Sequence, residues 1–156
     1  MDQAEAVLAV NQAIGMAGAA ICFSLCAMGS ILGLSAVVPA AIGAWKKCYM
    51  QNKQAPFLLM AFVGVPLSQT LYGMIVMFSM FEKATVGFPL LLLGVFTGVA
   101  IGLSAFLQGK GAAGAADAQA ETGQGIAYYL IALGAIEAIA IFVMVFVVNA
   151  IGRIGI

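Results

Sequence analysis

The sequence predicts an all-α membrane protein with four transmembrane helices, paired as two duplicated hairpins. Three observations carry that expectation. Of 156 residues, 64% are apolar and only 8% charged, where a soluble domain carries about a quarter charged. The apolar residues fall into four long runs separated by clusters of charge. Short motifs of the first half also recur in the second. A soluble core of this size could not hide so much apolar surface, so the solvent is lipid. One membrane domain over residues 1–156 is expected. Six basic residues balance six acidic ones, and no basic run favours nucleic acid.

The opening residues, MDQAEAVLAVNQ, are acidic where a secretory leader is basic, and the run after them is too long for one. They are expected to form the mature N-terminus. The first span covers residues 13–44. It holds Cys22 and Cys26 one turn apart, which with Cys48 make three cysteines and no histidine in the chain. Small buried side chains, not metal ligands, is the expectation for all three. Lys46, Lys47 and Lys53 mark a polar connection before the second span, residues 55–81. Glu82-Lys83 forms a minimal turn before the third, residues 84 to about 108. Lys110, Asp117, Glu121 and Gly123-Gln124-Gly125 lead into the fourth, residues 126–151. About twenty apolar residues suffice to cross a bilayer as a helix.

Orientation follows the distribution of Lys and Arg between short loops. The 1–2 and 3–4 connections carry Lys46, Lys47, Lys53 and Lys110, against Lys83 and Arg153 on the other side. The hairpin loops are therefore expected in the cytoplasm and both termini outside. Gly29-Ser30-Ile31-Leu32-Gly33 in span 1 and Gly94-Val95-Phe96-Thr97-Gly98 in span 3 are both GxxxG, and Gly102 extends the second. Glycine at that spacing lets helix backbones approach closely. Spans 1 and 3 should form a crowded inner pair, and the bulkier spans 2 and 4 an outer, lipid-facing layer.

Span 4 contains one ionisable group, Glu137, about 16 Å from the start of its helix and so near the bilayer mid-plane. An acidic side chain there costs roughly 2.5–3.5 kcal/mol, and such groups mark ion or substrate pathways. A duplication bears on its role. Gly33-Leu34-Ser35-Ala36 returns as Gly102-Leu103-Ser104-Ala105, and Met77-Phe78 is answered by Val145-Phe146. Repeats of about 12–82 and 84–151 follow, with Ser68-Gln69 standing against Ile136-Glu137. One copy keeps an acid where the other has an uncharged amide.

A proton would need only the carboxyl group. Sodium, a hard cation, needs several oxygens to replace its lost water. Ser68 offers a hydroxyl, Gln69 and Gln108 amide oxygens, and Glu137 the charge. Pro66 has no N–H and so frees a main-chain oxygen in span 2. If residues 111–118 continue span 3 as a helix, the three polar groups come within about one helical turn of each other in depth. The plainer reading of each glutamine is interhelical glue. Tyr128 and Tyr129 are expected in the interfacial belt, and Lys110 as a snorkelling or headgroup contact.

With Pro66-Leu67-Ser68-Gln69-Thr70-Leu71-Tyr72-Gly73 in span 2, Gln108-Gly109-Lys110 in span 3 and the lone Glu137 in span 4, the chain resembles the proteolipid rotor subunit (the c or K subunit) of V-type and A/V-type rotary ATPases. The resemblance covers essentially the whole chain. It implies identical copies closed into a membrane ring, each carrying one ion on the fourth-helix glutamate past a stator membrane subunit. It also implies a central-stalk subunit at the cytoplasmic loops, lipid around the ring, and a bacterial cell membrane. Such a subunit catalyses nothing itself; it couples ion flow to ATP hydrolysis or synthesis. Sodium-carrying members show a Thr-Gln pair, a Gln before Gly-Lys, the acid, and a tyrosine closing over it. By position these become Ser68, Gln69, Gln108 and Glu137, with Tyr72 as lid and the Val65 carbonyl as a further ligand. Ser68 stands where Thr is usual and Val65 where Leu is frequent. Sodium is favoured over the proton as cargo.

Two other functions compete. A small four-helix proton-coupled multidrug exporter would also use one membrane glutamate, but such proteins place it in the first helix and work as dimers. A purely structural proteolipid would tolerate Glu137→Gln.

Overall fold

The computed structural model describes residues 2–154, almost all of them helical. Helix α1 runs Gln3–Met50, α2 Leu59–Gly64, α3 Ser68–Phe81, α4 Phe88–Thr122 and α5 Ile126–Gly152. Helices α2 and α3 are joined by a 3-10 turn, Val65–Leu67, and together make one apolar helical segment, Leu59–Phe81. Four segments are thus long and apolar enough to span a bilayer.

Helices α1 and α4 run well past the apolar stretches that announced them. Helix α1 begins ten residues before residue 13, where the Asp2 backbone N–H donates to the Glu5 carboxylate at 3.1 Å, and it passes through Lys46 and Lys47. Lys110, Asp117 and Glu121, expected in a connection, lie on α4. That helix stops only at Gly123, whose left-handed φ of 66° suits a residue without a β-carbon. Water does not end a helix; a cap or a breaker does. Span 2 is shorter than expected, its helix starting at Leu59 instead of residue 55. Span 3 starts at Phe88 instead of residue 84, because a 3-10 turn at Ala84–Val86 and Gly87, with φ 75°, intervene.

The overhanging ends of α1 and α4 are tied outside the apolar zone. The Lys47 ammonium donates to Glu121 and lies 3.9 Å from Asp117. The hydrogen bond between them holds the Glu121 carboxyl below the usual carboxylate range and the Lys47 ammonium above its own. A depressed acid stabilises above its unfolded range and loses that effect as pH falls through its folded one. A raised base loses it as pH rises through its folded one. The pair therefore acts between those limits, and salt screens it because it is exposed. In thermal melts of the protein in detergent, Lys47→Met should lower the midpoint slightly at neutral pH and low salt, and not at acid pH.

Helices α1 and α4 pack against each other along most of their length, in parallel. A β-carbon on Gly102 would lie 2.5 Å from the Leu25 carbonyl oxygen, one on Gly33 2.5 Å from that of Ala105, and one on Gly98 2.9 Å from that of Cys22. The glycines of both motifs are therefore consumed in main-chain contact, and α1 and α4 are the crowded pair. Helix α3 lies on α1 and α4, and α5 on α4 and α3; α5 is the least buried of the four crossings. Cys22, Cys26 and Cys48 are buried and free. Thr70 donates to Ser30 at 2.8 Å, tying α3 to α1.

Candidate functional site

Three helices meet around Glu137, which projects from the middle of α5 and is partly buried. The Tyr72 hydroxyl of α3 donates to its Oε1 at 2.7 Å. The Gln108 side-chain amide of α4 approaches Oε2 at 3.5 Å and donates to the Leu133 carbonyl at 3.2 Å. Gln69, on the first turn of α3, donates to the Gln108 oxygen at 2.7 Å. The Ser68 hydroxyl lies 3.2 Å from the Gln69 oxygen and 3.1 Å from the Val65 carbonyl oxygen. The six residues expected at the ion site, Val65, Ser68, Gln69, Tyr72, Gln108 and Glu137, are thus joined in one continuous polar chain.

Local structure explains the convergence. Pro66 has no N–H to donate to the Phe62 carbonyl one turn back, and the backbone tightens there into the 3-10 turn. The carbonyl that meets a side chain is that of Val65, which the tightened turn brings under Ser68. Gln69 and Gln108 are fully buried, at 0% exposure. An unpaired amide in such surroundings costs several kcal/mol, about 2–7 by reference state, so each must be satisfied, and each is satisfied by the other. The glycines of α4 hold it close to α1, and Gln108 then reaches both α3 and α5.

Two supporting contacts were not read from the sequence. Ser104 donates to the Ile136 carbonyl at 3.1 Å, anchoring α5 one residue before Glu137. The Leu133 carbonyl fixes the Gln108 amide. Ser104 belongs to the repeated tetrapeptide, which was the available signal. Ser35, in the other occurrence of that tetrapeptide, instead donates back to Leu32 of its own helix at 2.7 Å, so the two hydroxyls are used differently. The two tyrosines at the start of α5 differ in their surroundings: Tyr129 turns towards a neighbouring helix. Its ring sits 6.3 Å from that of Phe62, whereas Tyr128 is exposed.

Chemically, the cluster gathers one carboxylate, two side-chain amides, the hydroxyls of Ser68 and Tyr72 and the main-chain carbonyls of Val65 and Leu133, all bearing hard oxygen atoms. Such a set of oxygens can hold a proton or a small hard cation against the carboxylate, which the Tyr72 hydroxyl already contacts. No protein-family model matches the chain and no curated protein matches it, so the meaning of the cluster rests on its own geometry.

Proposed function

We propose that this chain is the ion-carrying subunit of a rotary ATPase membrane ring, with Na⁺ as cargo and H⁺ as the alternative. The observation that supports this most is the hydrogen bond of Tyr72 to Glu137, with Gln108 and Gln69 behind it, midway along one of four helical segments long and apolar enough to span a membrane. A proton carrier needs no second and third polar helix around its acid. Two buried glutamines, a hydroxyl and a main-chain carbonyl beside one carboxylate form the donor set a dehydrated sodium ion requires. The side-chain amides that now donate N–H can turn their oxygens to a cation, because an amide offers both groups at one position.

In this reading Glu137 supplies the charge that neutralises the ion, so that the loaded site passes through lipid without net charge. Tyr72 holds the carboxylate in the loaded geometry. A fixed cation on a static partner subunit displaces the ion by offering the carboxylate a stronger counter-charge. The hairpin loops face the cytoplasm and the copies close into a ring, with the duplication of residues 12–82 and 84–151 giving alternating inner and outer helices. A multidrug exporter is disfavoured because the acid lies on the last crossing and Tyr72, Gln69 and Gln108 fill the space a bulky organic cation would need.

Two measurements on the purified protein in mild detergent test this. Native mass spectrometry should find an assembly of many copies; a dimer excludes a ring. Dicyclohexylcarbodiimide should label Glu137, and Na⁺ should protect it; labelling insensitive to Na⁺ at every pH would assign the cargo to H⁺. Tyr72→Phe deletes one hydrogen bond to a charged group, worth about 1.5 kcal/mol. It should weaken Na⁺ protection roughly tenfold without changing the assembly.

A further inference from the structure

A second polar feature lies on the opposite face of α4. Lys110 is exposed, two residues beyond Gln108, and its ammonium sits 5.2 Å above the centre of the Phe106 ring. It makes no ion pair among the described residues; the nearby carboxylates of α4, Asp117 and Glu121, are engaged with Lys47. The depth of Lys110 can be read from α5. Gly111 meets Leu133, and Leu133 is one helical turn, about 6 Å, deeper than Tyr129. The charge thus originates about one turn inside the aromatic level, within the reach of a lysine stem that extends towards the interface.

Phe106 also closes one end of an open groove of about 220 Å³ between α1 and α4. Leu25 and Met28 wall it on one side and Leu103 on the other, and Gly29 and Gly98 give it depth. It runs from Phe106 towards the middle of the membrane, over roughly 12 Å of helix. It does not share the face of α1 used by α3, which is marked by the contacts of Ser30 with Thr70 and of Cys26 with Gly73. An unpaired cation at the interface end and an apolar furrow leading inward from it match the two parts of one molecule.

We infer that the α1–α4 groove and Lys110 form a binding site for a single anionic phospholipid, its phosphate on the Lys110 ammonium and an acyl chain in the groove. The counter-charge must come from outside the chain, because the remaining membrane carboxylate, Glu137, is held by Tyr72 and Gln108 from other directions. A zwitterionic lipid fills the groove equally well but brings no net charge to Lys110. The inference rests on the four-crossing architecture and not on the rotor reading.

The test uses the full chain reconstituted in mixed bilayers, with Leu103→Trp as reporter and the native Trp45 changed to phenylalanine. Phosphatidylglycerol brominated mid-chain should quench the reporter at about fivefold lower mole fraction than brominated phosphatidylcholine, the preference expected for one lysine near an anionic headgroup. Lys110→Gln should erase that preference and Lys110→Arg should keep it. Met28→Trp, across the groove, should repeat the pattern if Leu103→Trp perturbs folding. Identical curves for the two lipids, a preference that survives Lys110→Gln, or no quenching by either lipid (as when a second copy covers the groove) would each overturn the proposal.

Discussion

Glu137→Gln is expected to abolish saturable ion binding while leaving the helices in place. Glutamine keeps the size of the side chain and can still accept from Tyr72, so the packing of α3, α4 and α5 is preserved. It cannot cancel the charge of a cation. A bare charge near the bilayer mid-plane costs on the order of 3 kcal/mol, a loss of more than about a hundredfold in affinity. Circular dichroism and thermal midpoint should be close to those of the unmodified protein, with carbodiimide labelling and Na⁺ uptake gone. A variant that still transports the ion would reduce Glu137 to a structural residue and favour the plain proteolipid reading.

Gly29→Ala should produce a large loss of stability for the addition of a single methyl group. The added β-carbon would collide with the main chain of Gly102, carbonyl oxygen and α-carbon alike. Backbone cannot rotate away as a side-chain tip can, so α1 and α4 must part along the seam that organises the molecule. Overpacking of this kind costs about 1–3 kcal/mol or more. The controls are Gly43→Ala and Gly134→Ala, where nothing lies within 4 Å. There the substitution removes a glycine from a helix interior and should stabilise by up to about 1 kcal/mol. Thermal unfolding in detergent separates the cases by sign. Equal midpoints for Gly29→Ala and Gly134→Ala would contradict the close contact of α1 and α4.

The polar cluster was legible in the sequence because its members are isolated in apolar runs. Glu137, Gln69 and Gln108 each lack local partners, and counting residues from the helix ends puts them at similar depth. Tyr72 and Val65 were legible only through the family resemblance; nothing in their spacing distinguishes a lid or a ligand. Ser104 and Thr70 were missed because a hydroxyl in a membrane helix can bond its own backbone, as Ser35 does. Whether it reaches another helix depends on rotational phase, which a single sequence leaves open. Helix ends were misjudged for a related reason. Charges such as Lys46 and Glu121 show where lipid ends, and a helix ends only where capping or glycine stops it, as at Gly123. The 3-10 turn at Val65–Leu67 was foreshadowed by Pro66, but which carbonyl it would turn towards the site was not.

The central claim is that buried amide oxygens on two other helices help one membrane carboxylate hold sodium. Equilibrium binding of ²²Na⁺ to the purified assembly tests it most directly, comparing the unmodified chain with Gln69→Ala and Gln108→Ala. The result expected is one saturable ion per chain, weakened at least tenfold by either substitution, since each removes a neutral oxygen worth about 1–1.5 kcal/mol and opens a cavity beside the charge. Absence of saturable binding in the unmodified chain, or binding indifferent to both glutamines, would contradict it.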